Sequence, residues 1–309
     1  MTGGNRAGIL DLDFDFKIRE LSSSYSIKCF RIDRVSKREV EQLALDAIRP
    51  LLNRHSNHFS HLITATSCPD SIAPSLGQCI IERLHKDFGN LPCFDLVQGC
   101  AGGVSAMILA SQLAEQNRSS VMLVSADAAR KATSQSSDLH SFFSNGSFAC
   151  VISYSDSPKG LLKYRSRQFE NLSGVVTIRL GHDSDEIIQS FPEVMAQDPR
   201  KHLGLIMNNR MAIQLMKEAE KFYVDFTEVD DVPDILLLHH VNPHIISHLQ
   251  NVFSRYPVEF INHSDEVRNC GASTTGVVLY RIFDKIKDKK VMICSFGTGG
   301  VITAGLWKF

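Results

Sequence analysis

The chain of 309 residues lacks the segments that mark secreted and membrane-spanning proteins. Its first residues, Met1–Arg6, are polar and do not form the apolar core of a signal peptide. No apolar run approaches the ~20 residues that cross a bilayer. Lysine plus arginine (33) nearly balance aspartate plus glutamate (34), so the formal net charge is −1, and no long basic run is present. These absences predict a cytoplasmic protein without membrane or nucleic-acid partners.

The eight cysteines contain no Cys-x-x-Cys pair; they stand at positions 29, 68, 79, 93, 100, 150, 270 and 294. Scattered cysteines inside apolar segments are typical of reduced thiols rather than of a disulfide framework or a zinc site. The glycine-rich segment Gly297–Gly300 is not followed by the Lys-Ser/Thr of a phosphate-binding loop. We therefore expect neither a metal nor a cofactor.

The most informative segment that is present is Gln98–Gly103, which places Cys100 between glycines. It joins a predicted strand, Phe94–Val97, to a predicted apolar helix, Val104–Gln116. A thiol at a helix N-terminus meets unpaired N–H groups and the positive end of the helix dipole, which favour the thiolate. Cys100 is thus a candidate nucleophile, and a buried structural cysteine is the alternative.

The spacing around Cys100 recurs in the second part of the chain. Cys100 and Cys270 each precede an apolar strand by 21 residues, at Val121–Ser125 and Val291–Ser295, so the two copies are offset by 170. Each copy also has an apolar strand upstream and a strand after a glycine turn downstream, namely His61–Thr66 and Phe148–Ile152 in the first, and Asp234–His239 and Val301–Ala304 in the second. This pattern predicts an internal duplication.

Apolar strands that alternate with helical patterns predict an α/β fold of layered sheets and helices. We expect an N-terminal half at 1–155 and a C-terminal half at 156–309, with a lid or substrate-lining insertion at about 156–205. Helical spacing over Leu203–Phe222 places apolar residues on one face, which are Ile206, Met207, Met211, Leu215 and Ala219. Such a face indicates core packing or, alternatively, the wall of an acyl channel.

His239 follows the predicted strand Ile235–Leu238 and begins a segment with three histidines, His239–His244. Functional side chains collect at strand ends in α/β layers, so His239 is a candidate acid/base or oxyanion donor. A packed histidine is one alternative, and a metal ligand is another, although His239 and His240 point to opposite faces of a strand.

Two turns complete the candidate site. Asn269 lies in the turn before Cys270, which the repeat places opposite Cys100 at the same cavity. An N–H group of the turn at Thr298 and Gly299, together with the N–H of Cys100, could hold a developing oxyanion.

These motifs together resemble the ketosynthase III-like branch of the thiolase superfamily. The nucleophile segment is similar to Phe94–Val104, and the family's His-x-x-Asn motif to His239–Asn242. Its second-half turn resembles Arg268–Ser273, and its C-terminal glycine turn resembles Phe296–Gly300. The resemblance implies a thiolase-like fold, with two pseudo-duplicated halves in a layered α-β-α-β-α sandwich, and a triad of Cys100, His239 and Asn269.

The resemblance also implies an activity. Cys100 would accept an acyl group from an acyl thioester, and a malonyl thioester would then condense with it on loss of CO₂. Acyl-carrier protein or acyl-CoA would be the donor, and a homodimer would form on the strand near Cys93–Val97. An acyltransferase that makes esters or amides and a non-catalytic subunit of a heteromeric synthase are the alternatives.

Two departures from the family refine these expectations. Residues 1–30 contain no recognisable segment for holding the adenine of CoA, which favours carrier-protein donors. Ala73 stands where relatives of the short-chain type have a bulky aromatic residue, so we expect Ala73 to enlarge the acyl pocket.

Overall fold

Two five-stranded sheets with equivalent strand orders form the framework of the molecule. The computed structural model describes residues 13–15, 39–52, 59–132, 141–156, 158–180, 203–227 and 231–309. The elements of the first half are β1 (Asp13–Asp15), α1 (Glu39–Leu52), β2 (Phe59–Ala65), α2 (Leu76–Arg83), α3 (His85–Phe88), β3 (Cys93–Leu96), α4 (Gly102–Asn117), β4 (Ser120–Ala128) and β5 (Asn145–Ser153). Those of the second half are β6 (Gly160–Gln168), β7 (Val176–Leu180), β8 (Leu203–Met207), α5 (Asn209–Phe226), β9 (Ile235–Leu238), α6 (Pro243–Phe253), β10 (Glu259–Ile261), α7 (Thr274–Arg281), β11 (Lys290–Gly297) and β12 (Val301–Lys308).

The strand orders are β3-β2-β4-β5-β1 in the first sheet and β10-β9-β11-β12-β6 in the second. In each sheet the first three strands are parallel, and the last two are added antiparallel. The predicted duplication is therefore present as one topology used twice. β7 and β8 form a separate antiparallel pair.

Side chains alternate between two buried layers along each central strand. On β4, Val121 and Leu123 pack into a central core shared by both sheets, whereas Met122 and Val124 pack outwards under α1 and α2. The central core holds α4 and α7, and a third cluster packs the second sheet against α5 and α6. Because both faces of the strands are covered, their sequences are continuously apolar. The layers follow the predicted α-β-α-β-α order.

Two short 3₁₀ turns begin the central helices, Gly99–Ala101 before α4 and Gly271–Ser273 before α7. We call them the cysteine turn and the opposite turn. The opposite turn starts 172 residues after the cysteine turn, whereas β11 starts 170 residues after β4. The counterpart of Cys100 is therefore Ala272, and the predicted equivalence of Cys100 with Cys270 is wrong by two residues. The connection from the opposite turn to β11 is two residues shorter, because α7 has 8 residues where α4 has 16 and the 3₁₀ turn Phe283–Lys285 replaces only part of the difference.

The helix predicted from residue 203 begins later than expected. Leu203–Met207 forms β8, and α5 starts at Asn209. A five-residue apolar run has the length of a strand, and here it pairs with β7. Leu215 and Ala219 are buried on α5, as the helical spacing predicted.

Part of the predicted insertion at 156–205 belongs to the framework. Gly160–Gln168 is β6, which pairs with β12 at the edge of the second sheet, because its alternating pattern suits one covered face and one exposed face. Residues 181–202 of the predicted insertion lie outside the described residues. The boundary between the halves at 155/156 stays a prediction. Within the part of the chain that the structure describes, no helix combines the length and apolarity needed to cross a membrane.

Adjacent glycines at the start of α4 provide a matched test of how tightly the halves pack. A Cβ added at Gly103 would lie 2.0 Å from the carbonyl oxygen of Ala272, whereas one added at Gly102 would make ordinary contacts of 3.7 Å or more. We expect Gly103→Ala to destabilise the protein by about 1–3 kcal/mol. Gly102→Ala should be neutral or stabilising by up to about 1 kcal/mol. Chemical denaturation followed by the fluorescence of the single, buried Trp307 measures both; equal stabilities of the two variants would contradict this packing.

Candidate active site

A pocket lined by residues of both halves contains all of the side chains predicted for the triad. Its polar lining residues are Ser67, Cys68, Cys100, His239, Asn269 and Thr298. The remaining wall is mainly apolar and includes Ala129, Phe143, Val175, Leu215, Val241 and Phe296. The pocket is thus an apolar cavity with a small group of convergent polar atoms, which is the usual form of a small-molecule site.

Cys100 is presented to the pocket by the cysteine turn, immediately before α4. The Ser295 hydroxyl of β11 donates to the Cys100 carbonyl (2.8 Å), which ties this turn to the second sheet. Gly99 has φ of +54°, and a Cβ there would lie 1.9 Å from Oγ1 of Thr298. Only glycine fits at position 99, because both the backbone conformation and the close approach of Thr298 exclude a side chain.

Cys100 does not have the thiolate character that the helix terminus predicts. Burial, and secondarily the Asp127 carboxylate, raises the pKa of its thiol to about 12. The Asn269 side chain and the backbone N–H of Cys100 act in the opposite direction but are weaker than burial. The predicted direction was wrong because removal of water from around the sulfur outweighs the helix terminus. In the free protein Cys100 is a neutral thiol.

His239 follows β9 directly, and its N–H donates to the carbonyl of Cys294 (2.9 Å). Its imidazole is fully buried, and both ring nitrogens have no hydrogen-bond partner among the described residues. Burial, and secondarily the neighbouring His240, lowers the pKa of His239 to about 3. The ring is therefore neutral at pH 7, with one N–H available to a ligand in the pocket.

His240 and His244 have other roles. His240 Nε2 accepts the N–H of His263 (2.9 Å), so its Nδ1 carries the proton and donates to the carbonyl of Leu238 (2.9 Å). His244 is exposed on the first turn of α6, where its ring contacts Phe142 edge-on. No group of three metal-ligating side chains occurs among the described residues.

Asn269 is held by its backbone and by its own turn. Its N–H donates to Phe142 (3.0 Å), and its carbonyl accepts from Ser144 (2.9 Å). Its side-chain Oδ1 accepts the N–H of Gly271 (2.9 Å), which fixes the orientation of the amide. The same amide lowers the pKa of Cys100 and raises that of His239, because it lies between these two side chains. The structure thus brings Cys100, His239 and Asn269 together.

The other predicted site residues have different outcomes. Thr298 lines the pocket, and its Oγ1 is buried without a hydrogen-bond partner among the described residues. Gly299 does not line the pocket, because its N–H donates to the carbonyl of Val176 (3.3 Å). Ala73 does not line the pocket either and is exposed on the loop after β2, which a hydrogen bond from Ser71 to Pro74 (2.6 Å) closes on itself. The predicted substrate contacts of Gly299 and Ala73 stay predictions.

Several pocket residues had no signal of their own in the sequence. Ser67 and Cys68 follow β2, and their position at a strand end is the only clue that could have indicated them. Val175, Leu215 and Phe296 are ordinary apolar residues that the fold brings to the pocket. Sequence patterns cannot separate such wall residues from the core.

Comparison with known proteins finds relatives among the 3-oxoacyl-[acyl-carrier-protein] synthases III. Residues 94–168 match the family model of 3-oxoacyl-[acyl-carrier-protein (ACP)] synthase III. A putative 3-oxoacyl-[acyl-carrier-protein] synthase 3 of Campylobacter jejuni is 23% identical over 261 residues, which is 80% of this chain and 72% of that protein. A beta-ketoacyl-[acyl-carrier-protein] synthase III of Rickettsia rickettsii is 25% identical over 251 residues, covering 79% of this chain and 74% of the relative.

Solved structures share the fold. A 3-oxoacyl-(acyl-carrier-protein) synthase III superposes with a TM-score of 0.70 at 19% identity, covering 87% of this chain and 85% of the other. The 3-oxoacyl-[acyl-carrier-protein] synthase III of Aquifex aeolicus gives 0.65 at 17% identity, with 90% and 85% covered. The priming beta-ketosynthase of a polyketide biosynthetic pathway gives 0.69 at 18% identity, with 90% and 82% covered.

The raised pKa of Cys100 predicts its reactivity in the free protein. Only the thiolate is alkylated, so the rate of modification by iodoacetamide should rise about tenfold per pH unit and show no plateau up to pH 10. Mass spectrometry of the Cys100 peptide measures this rate, and Cys100→Ala corrects for the other cysteines. A plateau near neutral pH would show instead that the helix terminus controls the thiol.

Proposed function

Because the chain is a ketosynthase III-like member of the thiolase superfamily, we propose that it is a condensing enzyme. An acyl group is transferred to Cys100, and a malonyl thioester then condenses with it by decarboxylative Claisen chemistry. The observation that carries this proposal is the convergence of Cys100, His239 and Asn269 in one pocket with an apolar wall. A thiol and two hydrogen-bond donors are what acyl transfer and enolate stabilisation need.

The first half-reaction forms an acyl thioester on Cys100. The sulfur attacks the carbonyl carbon of the donor thioester, and the donor thiol leaves with the proton that the Cys100 thiol gives up. His239 is the pocket residue placed to relay this proton, since its nitrogens are unoccupied. Because the free thiol has a raised pKa, the proton is removed only as the sulfur attacks. A neutral resting thiol also protects Cys100 from unrelated electrophiles.

The internal symmetry supports an oxyanion site at the N–H of Cys100. Ala272, the counterpart of Cys100, donates its N–H to the carboxylate of Asp127 (2.6 Å). The counterpart of Asp127 in the second half is Gly297, which has no side chain. A Cβ there would lie 3.3 Å from the Cβ of Cys100. Gly297 lines the pocket next to Cys100, so the position that the Asp127 carboxylate fills in one half faces the open pocket in the other.

We assign that open space to the oxyanion of the acyl-transfer step. The Cys100 N–H binds the oxygen as the Ala272 N–H binds the Asp127 carboxylate, and Thr298 supplies the second donor from the glycine turn. Of the predicted pair Thr298 and Gly299, this assignment uses Thr298, since the N–H of Gly299 donates to the carbonyl of Val176.

The second half-reaction uses the other side of the pocket. His239 and Asn269 donate hydrogen bonds to the thioester carbonyl of the malonyl group, which stabilises the enolate as CO₂ departs. The α-carbon then attacks the carbonyl of acyl-Cys100, and the bond from that carbon to sulfur breaks. A β-ketoacyl thioester leaves, and the Cys100 thiolate takes a proton from solvent. A neutral His239 suits this step, because a neutral imidazole donates one hydrogen bond without an ionic partner.

Carrier protein is the proposed acyl donor, with acyl-CoA as the second possibility for the same site. The pocket wall is apolar from Val175 and Leu215 to Val241 and Phe296, which suits an alkyl chain and not a charged or sugar-like group. Ester- or amide-forming acyl transfer would use the same acyl-Cys100, and analysis of the product with malonyl and hydroxylated acceptors decides between them.

Covalent capture tests the function. Incubation with acyl-carrier protein or acyl-CoA should add one acyl mass to the wild-type protein and none to Cys100→Ala. Asn269→Ala should be acylated normally, and His239→Ala should be acylated more slowly because it loses the proton relay. Both variants should decarboxylate malonyl thioester at least about 100-fold more slowly, since each loses a donor to the enolate. Intact-protein mass spectrometry and a CO₂-release assay measure the two steps.

The control for capture is Cys68→Ala, which removes a second thiol from the same pocket. It should leave the acyl mass unchanged. If no donor acylates Cys100, or if the mass is retained in Cys100→Ala, the proposed function is wrong. If acyl-Cys100 forms but only hydroxylated acceptors consume it, the enzyme is an ester-forming acyltransferase.

We also propose a homodimer built on β3. This strand is at the edge of the first sheet, and Phe94 on the strand and Val97 directly after it are 47% and 64% exposed. An exposed edge strand with apolar side chains is a template for pairing with another chain. A second copy paired at β3 would continue the first sheet and cover both residues.

Light scattering of the eluting protein tests this pairing. We expect twice the protomer mass of 34.4 kDa for the wild type and a lower mass for Val97→Lys, because a charge at an edge prevents pairing. Tyr164→Lys is the matched control: Tyr164 is 51% exposed on β6, at the edge of the other sheet, and this change should leave the dimer intact. A wild-type monomer, or dissociation by Tyr164→Lys alone, would contradict the assignment to β3.

A further inference from the structure

A buried carboxylate joins the two halves behind the pocket. Asp127, at the end of β4, is fully buried and does not line the pocket. Its Oδ1 accepts from the hydroxyl of Thr66 (2.9 Å) and from the N–H groups of Ser67 (2.7 Å) and Cys68 (3.1 Å), and the thiol of Cys68 lies at 3.3 Å. Its Oδ2 accepts the N–H of Ala272 (2.6 Å). One side chain thus holds segments of both halves.

The chemistry of this cluster fits the ionised form of Asp127. All of the groups around the carboxylate are donors, and a protonated acid would place a hydrogen against one of them. Burial raises the pKa of Asp127, while the N–H groups of Ser67 and Ala272 oppose that rise. A buried carboxylate is retained only where such donors replace its water.

We propose that Asp127 is a positioning residue for the condensing reaction. It fixes the loop Thr66–Cys68 and the opposite turn relative to each other, and through that turn it places Asn269 against Cys100. This inference rests on the proposed function, and it assigns a role to a residue outside the pocket.

The connection from Asp127 to Asn269 runs through two residues of the opposite turn. Ala272 donates to Asp127, and the preceding Gly271 donates its N–H to Oδ1 of Asn269 (2.9 Å). Gly271 has φ of +59°, and a Cβ there would lie 2.1 Å from Oδ2 of Asp127. The carboxylate therefore contacts the backbone of the turn so closely that a displacement of one displaces the other.

Asp127 also fixes the loop Thr66–Cys68, which forms another part of the pocket wall. Ser67 and Cys68 line the pocket, and both receive their backbone position from Oδ1. The pocket is formed where this loop and the opposite turn meet Cys100, so loss of the carboxylate should widen or shift that meeting point. A displacement of about 1 Å at reacting groups can reduce a rate about 100-fold.

The charge of Asp127 gives an independent readout of its position. Its carboxylate raises the pKa of the Cys100 thiol, and Cys270 adds a smaller effect of the same sign. Removal of the negative charge should therefore lower the pKa of Cys100 and make the thiol easier to alkylate. A residue with only a structural role, remote from the pocket, would not change this pH dependence.

The test is Asp127→Asn in the full-length protein, with the two half-reactions measured separately. The amide keeps one acceptor oxygen but turns an NH₂ group toward a donor, so the opposite turn shifts. We expect malonyl decarboxylation to fall about 10- to 100-fold, since it depends on Asn269, and acylation of Cys100 to fall less than about 3-fold. The alkylation profile of Cys100 with iodoacetamide should shift to lower pH.

Asp95→Asn is the matched control. The Asp95 carboxylate also accepts from three groups, the hydroxyls of Thr64 (2.6 Å) and Ser75 (2.7 Å) and the N–H of Gly77 (2.7 Å). These partners lie within the first half, and Asp95 does not line the pocket. This variant should change the stability but neither the ratio of the half-reactions nor the alkylation profile.

If Asp127→Asn does not fold, Thr66→Val tests the positioning role of Asp127 instead, because it removes one donor to the carboxylate and keeps the carboxylate itself. It should reduce decarboxylation more than acylation. The proposal is overturned if both half-reactions fall equally, if Asp95→Asn behaves in the same way, or if the alkylation profile of Asp127→Asn is unchanged. If the wild type is not acylated at all, the proposed function fails, whereas the shift in alkylation still tests the position of Asp127.

Discussion

The architecture depends on the close contact between the cysteine turn and the opposite turn. Both turns begin central helices, and they pack so tightly that the Cα of Gly103 lies against the carbonyl of Ala272. Positive φ at Gly99 and Gly271 lets each turn bend sharply enough to reach the sheet of the other half. The opposite turn is hydrogen-bonded to Asp127 of β4, and the cysteine turn to Ser295 of β11, and the pocket forms where the two turns meet.

A duplicated framework would be expected to form two equivalent pockets, yet the halves differ at the decisive positions. Strand pairing identifies Ala65 as the counterpart of His239. Thr64 pairs with Val124 in the first sheet, and Leu238 pairs with Cys294, the counterpart of Val124, in the second. Ala65 and His239 are the residues that follow. On that side a methyl group replaces the imidazole, and the Asp127 carboxylate closes the remaining space. On the other side Gly297 has no side chain and lines the pocket beside Cys100. The same backbone therefore supplies an internal clamp in one half and a reaction site in the other.

Sequence patterns predicted the parts of this arrangement that depend on local periodicity. The central strands, the helix after Cys100 and the repeat could be read from apolar runs and spacing, and the three triad positions from motifs at strand ends and turns. The two-residue offset between the turns could not, because it depends on how the whole connection after each turn is built, including the 3₁₀ turn that follows the shorter α7. Residues 203–207 were ambiguous, since a short apolar run suits a strand or a helix equally. The raised pKa of Cys100 and the role of Asp127 arise from burial and from partners about 60 and 145 positions away, which no local pattern contains.

A crystal structure of the protein after incubation with an acyl thioester donor tests the central claim most directly. Continuous density should join Sγ of Cys100 to an acyl chain that lies along the apolar wall, with the carbonyl oxygen within hydrogen-bond distance of the Cys100 N–H. His239 and Asn269 should face the opposite side of the acyl carbon, free to bind the second substrate. An acyl group attached elsewhere, or a carbonyl oxygen directed at Asn269 instead of the space beside Gly297, would contradict this account of the site.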